Sequence, residues 1–253
     1  MDIHIEDRGA GPPLLFIHAG VADSRMWTAQ LGLPGHRTIA FDMRGYGQTP
    51  LGTETFSNTE DALWVLDAAG VDTAIVVGCS IGGGVALQVV EIAPERVAGL
   101  VLIGADAPGF DPDVEYEPPE WPEAVAAFGA GDLQRVAALE AEIWLAGIGR
   151  SVMEVEPAIV DLFIDMDLIA LRNESERDEL ENASPLETIP DVDAPSLVIV
   201  GERDIPQFRM AAAHLARTLG TGPEITIRDS AHLPSLDRPA EVNRLLLEFT
   251  GSL

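Results

Sequence analysis

The stretch Ala74-Ile75-Val76-Val77-Gly78-Cys79-Ser80-Ile81-Gly82-Gly83-Gly84, continuing to Ile92, joins two patterns at one residue. Up to Val77 the run is continuously apolar and of strand length, as a strand buried on both faces requires. From Ile81 onward Val85, Val89 and Ile92 recur at helical spacing, and Pro94 stops the helix. Ser80 stands where the strand must turn sharply into the helix. Glycines two positions to either side let the backbone make that turn without collision. The turn leaves the Ser80 hydroxyl exposed above the sheet, at the positive end of the following helix. Cys79, the only cysteine of the chain, is turned away by the same geometry.

The pattern repeats on both sides. Leu14–Ile17 ends at His18-Ala19-Gly20, Thr38–Phe41 ends at Asp42-Met43-Arg44-Gly45, and Ala98–Ile103 ends at Gly104. Between the second and third of these, Thr59–Ala69 sets Ala62, Leu63, Leu66 and Ala69 on one helix face. Strands alternating with helices predict a doubly wound, mostly parallel α/β sheet of seven or eight strands. From about Ala107 the β pattern stops. Pro108, Pro112, Pro118, Pro119 and Pro122 mark an irregular entry, Asp132 caps a helix carrying Leu133, Val136, Leu139 and Ile143, and Pro157 opens another carrying Ile159, Leu162, Phe163 and Met166. The β pattern resumes at Ser196–Val200, followed by a helix over Arg209–Leu219, a strand at Ile225–Ile227 and a closing helix from about Ala240 to Phe249. The expected division is a core over 1–106, a helical insertion over 107–187 and the rest of the core over 188–253.

Charge marks the same division. The 253 residues carry 42 acidic and 15 basic side chains, net −27, and every basic residue is Arg. Between Asp106 and Glu187 there are 21 acidic and 4 basic residues. So negative a surface repels phosphate backbones, which excludes nucleic acid as a partner. It also predicts a cavity under the insertion that favours neutral or weakly polar acyl groups over dicarboxylates. No apolar run is long enough to span a bilayer. The N-terminus lacks the basic and long apolar regions of a signal peptide, so the cytoplasm is the expected location. A single cysteine excludes an internal disulfide and a Cys-rich metal cluster. No glycine-rich nucleotide loop and no H-E-x-x-H motif is present, so neither cofactor nor metal is expected.

A serine hydroxyl needs a base, and the base needs an orienting acid. Of five histidines, His232 falls in the loop after the last predicted strand, at the carboxyl edge of the sheet where such folds place their sites. His4 lies in a first strand, His36 in a turn, His214 inside a helix, and His18 before Ala19-Gly20. Asp204 follows the strand that ends the insertion, and Asp106 follows the strand that precedes it; Asp204 is favoured.

These residues together resemble an α/β-hydrolase with a helical cap, in the soluble esterase, enol-lactonase and C–C hydrolase group. Phe16-Ile17-His18-Ala19-Gly20 stands at the oxyanion loop of that family with Trp27 after it, and Asp42-Met43-Arg44-Gly45-Tyr46-Gly47 is similar to its D-x-R-G-x-G segment. Gly201-Glu202-Arg203-Asp204 resembles the acid loop and Ala231-His232 the histidine loop. The order Ser80, Asp204, His232 is the family's order. The resemblance implies a catalytic triad of these three residues and an oxyanion hole formed by the backbone N–H groups of Gly20 and Ile81. His18, Asp42 and Arg44 are read as structural supports. Two departures stand out. Ala19 replaces a glycine, and the short N-terminus predicts loss of the first of the usual eight strands.

The implied activity is hydrolysis of a small carboxylic ester or lactone through an acyl-enzyme on Ser80. The same residues serve hydrolysis of a C–C bond in a β-diketone-type substrate, and the fold also serves ligand receptors. The partner is a small molecule, with a homo-oligomer left open. Trp144 and Phe163 are candidate substrate contacts, although Trp144 fits an ordinary core position equally well.

Overall fold

The computed structural model describes residues 2–182 and 185–253, so two positions within the expected 107–187 insertion lie outside the described residues. Strands β1 (Ile5–Gly9), β2 (Pro13–Ile17), β3 (Arg37–Phe41), β4 (Ala74–Cys79), β5 (Val97–Ile103), β6 (Ser196–Gly201) and β7 (Ile225–Ile227) form one sheet in the order β1-β3-β2-β4-β5-β6-β7. Every neighbouring pair is parallel except β1 with β3. Among the described residues the sheet therefore has seven strands. All six residues of the central β4 are buried, which explains its unbroken apolar run. At the edge, β1 reads Ile-Glu-Asp-Arg-Gly, and its outermost residues are exposed. Charges of this kind blunt an open sheet edge. His4 lies just before this strand rather than in it.

Helices α1 (Asn58–Ala68) and α2 (Ile81–Ile92) connect the first strands. Between β5 and β6 lie α3 (Trp121–Gly129), α4 (Leu133–Glu140) and α5 (Pro157–Leu180). The first of these corrects the expectation of an irregular entry: Pro122 sits in the first turn of α3, where its missing N–H costs nothing. Asp132 caps α4 by accepting from the Arg135 N–H at 3.2 Å. The chain then widens into a π-helical turn, Ala141–Ala146, closed by Gly147 at φ 76°. A small apolar cluster of Val136, Ala137, Leu168 and Leu171 joins α4 to α5. The remaining helices are α6 (Pro206–Thr218), α7 (Pro234–Asp237) and α8 (Pro239–Thr250). No helix among the described residues is long and apolar enough to cross a membrane.

Candidate active site

Ser80 joins β4 to α2 with φ 54° and ψ −120°, one of two non-glycine residues at positive φ among those described. Such a conformation costs on the order of 1–3 kcal/mol and persists only where its surroundings enforce it. The enforcing contacts are visible. A side chain at Gly78 would collide with the Gly82 carbonyl, and one at Gly82 with the carbonyls of Ile17 and His18. The Ser80 N–H is held by the Ile103 carbonyl at 2.9 Å. Cys79 is fully buried on the other side, its Sγ 3.8 Å from the His232 carbonyl, and burial pushes its thiol pKa upward. It therefore remains a thiol.

His232 and Asp204 are brought together. Asp204 Oδ2 lies 2.9 Å from His232 Nδ1, and Asp204 Oδ1 accepts from the Ile205 N–H at 2.8 Å. An ionised carboxylate at that distance fixes the proton on Nδ1 and leaves Nε2 as the basic ring nitrogen. Asp106 is exposed and accepts from the adjacent Ala107 N–H. The imidazole is packed between Phe208, at a ring-centroid distance of 4.4 Å, and Trp144, at 5.0 Å. Ser80, His232, Gly20 and Ile81 all line one cavity of about 230 Å³. Ile81 is the first residue of α2, so its N–H is one of the helix's unsatisfied donors. A side chain at Gly20 would come within 2.6 Å of Ile81 Cδ1, so the Ile81 side chain would have to shift to admit one.

His18 has a different task. Its Nδ1–H donates to the Ala19 carbonyl at 2.8 Å, and its Nε2 accepts from the Met43 N–H at 2.9 Å. Burial lowers its pKa, so it stays neutral and ties two loops together. Asp42 accepts from the N–H groups of Ser24 and Gln48, and Arg44 makes a two-pronged pair with Asp61. Trp144 lines the cavity. Phe163 does not, which corrects its expected role: it is fully buried in the core cluster with Met26, Trp27 and Met166.

The cavity also has walls that no sequence motif marks. Tyr46, Trp121, Glu140, Asp167, Glu174 and Arg177 line it. Asp167, Leu171 and Glu174 follow helical spacing beside the apolar stripe of α5, and an aspartate bordering a buried stripe was the available signal. The π-helical turn that carries Trp144 is clamped by Arg150, whose side chain donates to the carbonyls of Leu145, Ala146 and Asp229 and pairs with Asp237 at 2.9 Å. Gly147 then passes so close that a side chain there would meet Ala231 Cβ and the Arg203 carbonyl at 2.5 Å, beside both His232 and Asp204. The helical segment thus contacts the loops that carry the His–Asp pair.

Comparison with known proteins agrees with this architecture. The AB hydrolase superfamily protein YisY of Bacillus subtilis (strain 168) is 26% identical, across 99% of this chain and 96% of its own. The carboxylesterase YbfK of the same organism is 26% identical, across 94% of this chain and 80% of its own. Among solved structures, a thermophilic esterase from Thermogutta terrifontis superposes with a TM-score of 0.77 at 23% identity, covering 99% of this chain and 93% of that one. The family model for the alpha/beta hydrolase fold matches residues 12–149. With its seven-stranded sheet and strand–Ser80–helix turn, the chain belongs to the alpha/beta hydrolase fold family.

Proposed function

We propose that this hydrolase cleaves a small carboxylic ester or lactone through an acyl-enzyme on Ser80. The observation that carries the reading is the buried His232–Asp204 pair, 2.9 Å apart, whose histidine lines the same cavity as the strained Ser80 turn. In this mechanism Ser80 Oγ attacks the carbonyl carbon while His232 Nε2 takes its proton. The oxyanion that develops accepts from the N–H groups of Gly20 and Ile81, a contact worth about 2.7–4 kcal/mol of barrier per donor. Collapse breaks the bond to the leaving alcohol, and His232 returns the proton to that oxygen. Water, deprotonated by the same nitrogen, then releases the acid and restores Ser80. Asp204 holds the imidazole and stabilises its charged form. Residues 107–187 act as a cap over the reacting carbonyl, with Trp144 as a wall of the substrate site.

Likeness to a carboxylesterase and an esterase supports the ester class, and a lactone presents the same carbonyl with the alcohol tethered. A fluorophosphonate probe should label the protein once. Ser80→Ala should lose both the label and ester hydrolysis. Labelling that persists in Ser80→Ala would defeat the assignment.

A further inference from the structure

The cavity that Ser80 lines is also walled by acids that lack a basic partner. Asp167 is 1% exposed, and its Oδ2 has no hydrogen-bond partner. Glu140 of α4 faces it, and Glu174 lies two turns further along α5 on the same cavity. Among the described residues, no arginine or histidine comes within ion-pair distance of Glu140, Asp167 or Glu174. Arg177 is near, but its guanidinium lies 4.3 Å over the Tyr46 ring and donates to the Ala170 carbonyl. The other cavity walls are the indoles of Trp121 and Trp144, whose π-faces attract cations. Among the described residues no group of His, Cys, Asp and Glu has an arrangement that would hold a metal ion.

Buried carboxyls without a counter-charge either keep a proton or await a cation. Burial pushes Glu140 up to about 7, and burial together with Glu140 pushes Asp167 well above its ordinary value. An alkylammonium group would replace that proton and meet two carboxyl groups and two indoles. We propose that Glu140 and Asp167, with Glu174 behind them and Trp121 and Trp144 beside them, form a subsite for an ammonium group on the non-reacting end of the substrate. This rests on the ester hydrolase reading above and adds the class of ester.

The test compares shape-matched esters. One pair carries the charge in the alcohol, 2-(trimethylammonio)ethyl butyrate against 3,3-dimethylbutyl butyrate. The other carries it in the acyl chain, ethyl 4-(trimethylammonio)butanoate against ethyl 5,5-dimethylhexanoate. At pH 8 the cationic member of at least one pair should lead in kcat/KM by tenfold or more. That ratio should fall below threefold in the Glu140→Gln/Asp167→Asn double variant. It should also shrink in the wild type at pH 5, where the acids hold their protons. Glu174 and Arg177 act on the charged member alone, so the double variant, which keeps both, isolates Glu140 and Asp167, while the pH arm reads the three acids together. Should the double variant fail to fold, seen as loss of fluorophosphonate labelling, the pH arm decides alone. Equal or better turnover of both neutral esters, a preference for ethyl hydrogen succinate, or a ratio that survives in the folded double variant would overturn the subsite. Propyltrimethylammonium binding to Ser80→Ala, read by tryptophan fluorescence, separates the two readings. Binding that disappears in the added Glu140→Gln/Asp167→Asn background supports the subsite even if no ester is turned over, and absence of binding overturns it.

Discussion

Asp204 and Asp167 are buried alike, each 1% exposed; Asp167 lines the cavity, and Asp204 stands behind His232, which lines it too. Their surroundings give them opposite chemistry. Asp204 accepts from a backbone N–H and from His232, so its charge is compensated by two donors. Asp167 faces another carboxyl and has an oxygen with no donor, and its pKa is pushed upward. Burial alone therefore does not decide what a carboxylate does; the donors around it decide. One acid is equipped to stabilise an imidazolium beside the proposed reacting carbonyl, and the other to hold a proton until a cation replaces it.

The largest expected effect breaks the comparison at its compensated end. Asp204→Asn should lower kcat on a simple ester by about 10⁴, the loss seen when an imidazole is left in the wrong tautomer. Asp106→Asn should cost less than about tenfold, since Asp106 bonds only its own loop. The reverse ranking would transfer the orienting role to Asp106. A third buried acid, Asp237, extends the comparison, because both Arg150 and Arg238 pair with it. Arg150→Ala should lower stability by about 3 kcal/mol in denaturant titration, as expected when one partner of a buried pair is removed. A loss below 1 kcal/mol would show that Arg238 alone suffices.

At the uncompensated end, stability should depend on pH in the opposite sense to an ordinary paired carboxylate. Glu140 is raised from 4.5 to about 7. Below pH 4.5 it is protonated in both states and costs nothing. Between 4.5 and 7 the unfolded chain loses its proton while the folded chain keeps it, so stability falls as pH rises. Glu140→Gln/Asp167→Asn should therefore gain stability over the wild type between pH 5 and 8, by about 1–3 kcal/mol at the upper end. An unchanged difference across that range would place a basic partner near the acids. The smallest effect belongs to the exposed Glu123–Arg135 pair, where water screens the charges. Arg135→Ala should leave both melting temperature and activity unchanged within error.

The sheet was legible because its central strands are apolar on both faces and end at glycine or polar turns, and α2 begins and ends where its spacing predicts. The helix α3 was hidden by Pro122, which reads as a breaker unless it is known to occupy a first turn. The π-helical turn was hidden too. Its extra residue re-aims Trp144 toward His232, and no local spacing announces it. Phe163 and Trp144 looked equivalent in sequence, but the fold buries Phe163 in the core cluster and sets Trp144 on the cavity.

What the sequence determined by itself was local and steric. The glycines around Ser80 are needed because nearby carbonyls exclude a Cβ, and the apolar runs stop at polar or glycine residues that turn the chain. The chain order of serine, acid and histidine followed from the same short patterns. Tertiary structure alone decided which side chains meet. It set Asp204 against His232 across 28 residues, folded Arg150 over the π-helical turn, and brought Glu140 of one helix to Asp167 of another. A carboxylate's state depends on the donors, charges and water within a few ångströms of it, and those neighbours are chosen by packing between segments far apart in the chain.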